Sequence, residues 1–205
     1  MITKYKFVEF CRLGESTSVK GATNNMELHK GRPESCEGRL PREIRVYDFL
    51  DKLGLEYDRT DHDHADHMSD CYEIDAILNA TICKNLFLCN RQKTQFYLLM
   101  MPGDKPFKTK ELSSQINSAR LSFASPEDME KYLDIQPGAV SVMGLMNDAD
   151  NHVKLLVDED ILQGEYLGCH PCVSTSSMRL KTTDIFGPFL EAVHHDMTVV
   201  KLTGE

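Results

Sequence analysis

Apolar residues in this chain recur in short blocks of two kinds, one spaced as helix and one as strand. From Pro41 to Leu53 the period is helical: Ile44, Tyr47 and Leu50 share a face that Val46, Phe49 and Leu53 widen. Pro41 suits a first helical position, and Gly54 suits the left-handed residue after the last turn. Leu55 to Thr60 then alternates like a short strand. Ser69 can cap a second helix over 70–78, with Ile74, Ile77 and Leu78 facing inward. Thr81 to Asn90 reads as a buried strand through Ile82, Leu86, Phe87 and Leu88, interrupted by Lys84 and Asn85. Arg91-Gln92-Lys93 predicts a hairpin turn, with Thr94 to Met101 returning as its partner. Pro102-Gly103-Asp104-Lys105 is a strong turn signal.

Further on, Thr109 to Ile116 predicts a short helix and Ala119 to Phe123 a strand. Ser125-Pro126-Glu127-Asp128 combines a cap, a proline and first-turn acids, the signature of a helix start. In Gln136 to Leu145, small residues flank what reads as a short apolar strand. Gly138, Ala139 and Gly144 there would let another group approach the backbone closely. Val153 to Val157 is a further buried strand, and Asp158 to Leu162 a helical turn. Met178 to Lys181 is a strand, Asp184 to Val193 a helix interrupted at Gly187-Pro188, and Thr198 to Leu202 a last strand.

This irregular alternation with short turns predicts an α+β fold, a curved mixed β-sheet surrounded by helices. The expected organisation is an N-terminal arm over residues 1–40 and one domain over 41–205. The arm is rich in Gly, Ser, Asn, Glu and Lys and has little periodicity. There is neither GxGxxG nor GxxxxGK[ST], so a doubly wound nucleotide-binding fold is not expected. No apolar run approaches the roughly 18 residues of a membrane span. Met1 to Phe7 has no long apolar stretch, so a secretory leader is not expected. Seven cysteines are an odd number, and two of them, Cys83 and Cys89, fall in an apolar strand. A reduced, cytoplasmic protein with no membrane partner fits this usage.

The formal net charge of −9 argues against a general nucleic-acid coat protein. The charge is uneven, though. Residues 84–110 hold six basic side chains against one acid, while acids concentrate in 56–75 and 147–165. Such asymmetry suits a chain that meets a polyanion on one face only, or else an ordinary solvated surface. Lys84 is the sharpest feature: a lysine in an apolar strand needs a partner or a cleft, unless it guards a sheet edge. The tract Asp61 to His67 holds three His and three Asp, yet lacks the spacing of a metal site, and reads better as a polar loop at a pocket mouth. No metal and no cofactor is expected.

Several ordered blocks together resemble the YbaK/prolyl-tRNA synthetase-associated editing domain family, from about Pro41 to Leu202. They are Cys83-Lys84-Asn85-Leu86-Phe87-Leu88, Tyr97-Leu98 with Pro102-Gly103-Asp104-Lys105, and Arg120-Leu121-Ser122-Phe123-Ala124-Ser125. Pro137-Gly138-Ala139-Val140-Ser141, Gly144-Leu145-Met146-Asn147-Asp148 and His170-Pro171 complete the set. The resemblance implies a YbaK-like fold and hydrolysis of a wrongly charged aminoacyl ester on proline tRNA, with alanine as the group removed. It implies the tRNA acceptor end as partner, with prolyl-tRNA synthetase as a further one. It assigns catalysis to Lys84, Gly138 and Ser141, and substrate binding to Asn85, Ala139, Val140, Gly144, His170 and Pro171. The attacking group is a water helped by the ribose hydroxyl, with no covalent intermediate on the enzyme.

The chain departs from the family where Val142-Met143 replace a usual proline and phenylalanine. It departs again where Cys172 and Ser174 replace leucine and asparagine. Two other functions therefore stay open at this stage. One is a binding module for tRNA or an amino acid that has lost hydrolysis. The other is a thiol redox protein built on Cys169-His170-Pro171-Cys172, although a poor helix follows that motif.

Overall fold

The computed structural model describes residues 26–64, 68–80 and 82–204. Its α+β architecture distributes the strands over two hydrogen-bonded sheets. The first is antiparallel, in the order β1 (His29–Lys30), β2 (Tyr57–Asp61), β8 (Ser176–Lys181), β7 (Tyr166–Cys169). The second is mixed, in the order β5 (Leu121–Phe123), β3 (Lys84–Asn90), β4 (Phe96–Met101), β6 (Val153–Asp158), β9 (Met197–Val200). Within it β3, β4 and β5 pair antiparallel, whereas β4, β6 and β9 run parallel.

Side-chain alternation explains the layers. Along β3, Phe87 and Cys89 enter one core cluster, and Leu86 and Leu88 the other. Along β4, Phe96, Leu98 and Met100 face the first cluster, and Tyr97, Leu99 and Met101 the second. Both faces of β4 are thus covered, which is why its sequence is apolar without a break. The first cluster lies under helix α1 (Pro41–Leu53), helix α4 (Pro126–Leu133) and the C-terminal helical segments, through Val46, Leu50, Met129, Leu133 and Phe189. The second is closed by Leu112 of α3 (Thr109–Gln115) and by Leu202.

Local signals behave as their chemistry dictates. Gly54 ends α1 in the left-handed region at φ 67°. Ser125 and Asp128 form a reciprocal capping box at the start of α4. Pro188 falls in a π-helical turn, Ile185–Phe189, between the short helices Thr182–Asp184 and Leu190–Ala192. Helix α2 spans Met68–Leu78, and the cap expected of Ser69 lies outside the described side chains. Of the expected N-terminal arm, residues 1–25 are not described, and His29–Lys30 pairs with Asp58 and Arg59 on β2.

Two expectations need correction. The strand expected over 81–90 begins only at Lys84, so Lys84 stands at a strand end and not inside the apolar run. Ile82 instead makes an isolated parallel bridge to Gly168, in the other sheet. The strand expected within 136–145 is a turn followed by a 3-10 helix, Val142–Asn147. The Ser141 hydroxyl accepts the Met143 N–H at 3.2 Å and caps that helix, and no neighbouring strand offers the segment a ladder.

Candidate active site

Three segments singled out in the sequence meet where the two sheets join. Gly168 makes the junction: a Cβ there would sit 3.0 Å from Ile82 Cα and 3.1 Å from Ile82 N. The bare glycine admits the Ile82 backbone, and Cys83 N–H donates to the Gly168 carbonyl at 3.2 Å. Lys84 and Asn85 follow directly on this junction in one strand, and His170 and Pro171 follow it on the other side. The 3-10 helix approaches from its own side: burial raises the Cys169 thiol pKa, and the Ser141 hydroxyl opposes that rise.

Lys84 is partly buried and donates from Nζ to the Lys105 carbonyl at 2.7 Å. Burial lowers its pKa, with Asp104 opposing. The carbonyl that holds it is itself anchored, because Lys105 Nζ pairs with Asp158 at 2.8 Å and Asp160 at 2.7 Å. Asn85 donates from Nδ2 to the Cys83 carbonyl, while its Oδ1 is buried with no partner among the described residues. A buried carbonyl oxygen in that state is costly unless something supplied from outside donates to it.

Gln136-Pro137-Gly138-Ala139 forms a tight turn closed by Ala139 N–H to the Gln136 carbonyl at 3.1 Å. Gly138 sits at φ 91°, which suits the position after proline in a type II turn. Its open side faces Ser174, whose Cβ would lie 4.0 Å from an added Cβ. Among the described residues, the N–H groups of Gly138, Val140 and Ser141 donate to no protein acceptor. Gly144 lies apart from this surface. A Cβ there would meet Ile135 Cδ1 at 2.5 Å and the Leu133 carbonyl at 3.1 Å, so its small size serves packing against α4. Ala139 is buried and Val140 partly exposed.

His170 reaches the Ser176 carbonyl from Nδ1 at 3.0 Å. Burial pushes its pKa down to about 4, so the ring is neutral at pH 7. Sequence reasoning missed Ser177, which lies 3.2 Å from that same Nδ1 and 2.9 Å from His62 Nε2. The only hint was the polar tract at 61–67, whose His64 Nδ1 also meets the Ser174 hydroxyl at 2.8 Å. Asp66 and His67 of that tract lie outside the described residues. Asp61 is held by Arg39 and Arg59; burial alone would raise its pKa, but the two guanidiniums bring it down to about 2.

Residues 62–186 match the family of aminoacyl-tRNA editing domains. The chain belongs to that family. It is 32% identical over 136 residues to the prolyl-tRNA editing protein ProX of Acetoanaerobium sticklandii, which covers 66% of this chain and 83% of that one. It is 24% identical to prolyl-tRNA synthetase associated domain-containing protein 1 of Danio rerio, over 75% of this chain and 83% of the relative. A crystal structure of a candidate trans-editing enzyme for prolyl-tRNA synthetase shares the fold at TM-score 0.57 and 17% identity, covering 80% of this chain and 98% of that one.

Burial pushes the Cys169 and Cys172 thiols up to about 12, and Cys83 rises as well. All three stay protonated and unreactive at neutral pH. The segment after Cys172 leads into strand β8 and not a helix, so the redox alternative gains no support. The basic stretch is also less free than its composition implies. Lys93 pairs with Asp128 and Lys105 with Asp158 and Asp160, while Arg91, Lys108 and Lys110 make no ion pair among the described residues. An open hollow of about 420 Å³ lies elsewhere, lined by Lys108, Lys110, Glu111, Ser114 and Gln115.

Proposed function

We propose that this chain hydrolyses the ester of mischarged aminoacyl-tRNA in trans, with alanyl-tRNA of the proline type as its substrate. The observation that supports the reading is the Ile82–Gly168 bridge, which ties the segment leading into Lys84-Asn85 to the strand leading into His170. The relatives named above, a ProX editing protein among them, point the same way.

The chemistry follows from the groups present. A pocket sized for proline cannot strongly reject the smaller alanine, since each missing methylene is worth only about 1–3 kcal/mol. A second, tighter pocket must therefore remove the error. Lys84 supplies a fixed cation for the phosphate of the terminal nucleotides, held by the Lys105 carbonyl. The unpartnered Asn85 Oδ1 accepts a hydroxyl of the terminal ribose. Water adds to the ester carbonyl, and the tetrahedral oxyanion is received by free N–H groups among Gly138, Val140 and Ser141. The intermediate then breaks its bond to the ribose oxygen, which leaves with a proton as the hydroxyl. Ala139, Val140, His170 and Pro171 bound the amino-acid side of the pocket. Ser141 acts through its cap, which sets the direction of its own N–H.

The test is loss of labelled amino acid from alanyl-, cysteinyl-, seryl- and prolyl-tRNA of the proline type with the purified chain. Alanine is expected to leave fastest and proline to remain. Lys84→Ala should abolish turnover while Cys169→Ser/Cys172→Ser retains it. Binding of the RNA with the ester intact would overturn the reading in favour of a binding module.

A further inference from the structure

The ring nitrogens around His170 form a directional chain, and its polarity can be worked out from acceptors that have no alternative. His62 Nδ1 lies 2.8 Å from the Asp63 carbonyl. A carbonyl only accepts, so His62 carries its proton on Nδ1 and exposes a lone pair on Nε2. Ser177 Oγ, at 2.9 Å from that lone pair, must then donate its single proton to it. The Ser177 oxygen thus turns only lone pairs toward His170 Nδ1, at 3.2 Å. The Ser176 carbonyl, at 3.0 Å, makes the same demand. Both neighbours require a proton on His170 Nδ1. The ring is neutral, so Nε2 is left as an acceptor, and it has no partner among the described residues.

We propose that Ser177 and His62 are positioning residues that lock His170 in its Nδ1–H tautomer and so hold the Nε2 lone pair toward the aminoacyl group. This rests on the reading that His170 lines the aminoacyl pocket. The donor it awaits is the α-ammonium of the ester, the N–H-bearing group common to every aminoacyl substrate. The lock is built into the first sheet: Thr60 and Asp61 of β2 pair with Ser177 and Ser176 of β8, and His62 follows directly on β2. The two rings are 6.4 Å apart between centroids, so they communicate through the serine and not by stacking.

Without His62, the Ser177 hydroxyl is free to rotate and donate to His170 Nδ1, which admits the Nε2–H tautomer. The test reads both tautomer and turnover. Long-range ¹H–¹⁵N NMR of histidine-labelled protein at pH 7 is expected to show His170 neutral and protonated at Nδ1. In His62→Phe the Nε2–H form gains population, and kcat for deacylation falls about 3- to 10-fold at little-changed KM, the scale of one neutral hydrogen bond. His62→Gln, whose amide oxygen can accept the Ser177 hydroxyl, restores both. Ser177→Ala removes one of the two acceptors on His170 Nδ1 while the Ser176 carbonyl stays, so it shifts His170 in the same direction by less, and it carries the test if His62→Phe does not fold. A wild-type His170 protonated at Nε2, or an imidazolium, overturns the proposal. So does a His62→Phe or Ser177→Ala protein with unaltered tautomer and kcat. A wild-type protein that fails to deacylate any of the esters sinks the pocket reading separately, because the tautomer is measured without RNA.

Discussion

Gly168→Ala tests the junction on which the site depends. The glycine lacks a positive φ, so alanine meets no backbone strain and the effect is purely steric. Its Cβ would stand 3.0 Å from both Cα and Cγ1 of Ile82 and 3.1 Å from Ile82 N. The Cγ1 contact can relax by rotation, but the two backbone contacts cannot. Ile82 is also tethered, since its N–H donates to Asp75 Oδ1 at 2.9 Å. The segment must move by a few tenths of an ångström, which stretches the Cys83–Gly168 hydrogen bond. Overpacking of this kind costs about 1–3 kcal/mol, and a weakened hydrogen bond adds up to about 1 kcal/mol. Urea unfolding should show a lower midpoint with an unchanged slope. Deacylation should fall more than stability does, because Lys84 and Asn85 shift with the displaced strand start. Ile82→Ala on top of Gly168→Ala should not rescue, as it leaves the backbone contacts in place. A Gly168→Ala protein with wild-type midpoint and wild-type turnover would refute the steric account of the junction.

Other expectations follow from the same structure. Ser125→Ala removes the hydroxyl that accepts the Asp128 N–H but keeps the residue 125 N–H that donates to the Asp128 carboxylate, and should cost about 1 kcal/mol by urea unfolding, with deacylation unaltered. His170 titrates near pH 4 against an ordinary 6.5, so between those values the unfolded chain binds a proton there that the folded chain refuses. Stability should therefore fall as pH drops through that window, by roughly 3 kcal/mol as an upper figure because the ring keeps a partly exposed edge. His62 is lowered by burial too and adds in the same direction; an unchanged urea midpoint between pH 7 and 4.5 would contradict both. Asp158→Asn weakens the anchor of Lys105, and with it the carbonyl holding Lys84, so kcat should drop several-fold while an α4 variant such as Ser125→Ala leaves it intact. Lys84→Arg should not restore turnover, because a planar guanidinium cannot replace a compact ammonium on the Lys105 carbonyl.

Much of this was legible in the sequence, for identifiable reasons. The α1 helix, the α4 capping box and the β3–β4 hairpin announce themselves because their signals are local: a period, a cap, a turn. Gly138 and Ala139 were singled out for their small size, but the type II turn that Pro137-Gly138 make was not assigned. The segment after it was misread because Val140, Val142 and Leu145 look like strand residues. Nothing local reveals that they find no ladder, while the Ser141 cap and the packing of Gly144 on α4 favour a tight helix. Ser177 was missed because a serine in a strand carries no signal until its neighbour across the sheet is known. Lys84 stood out from the apolar pattern itself, as a lysine that needs a partner or a cleft, whereas the role of His170 came through resemblance.

The turn at 138–141 separates two properties that most active sites mix. If the ester carbonyl is received by main-chain donors, no single side-chain replacement deletes them, and they carry no titrating charge. Amino acids at 142, 143, 172 and 174 can then drift, reshaping which acyl group fits, without disabling bond cleavage. Selectivity and reactivity would evolve on different timetables here, one written in side chains and the other in the path of the polypeptide itself.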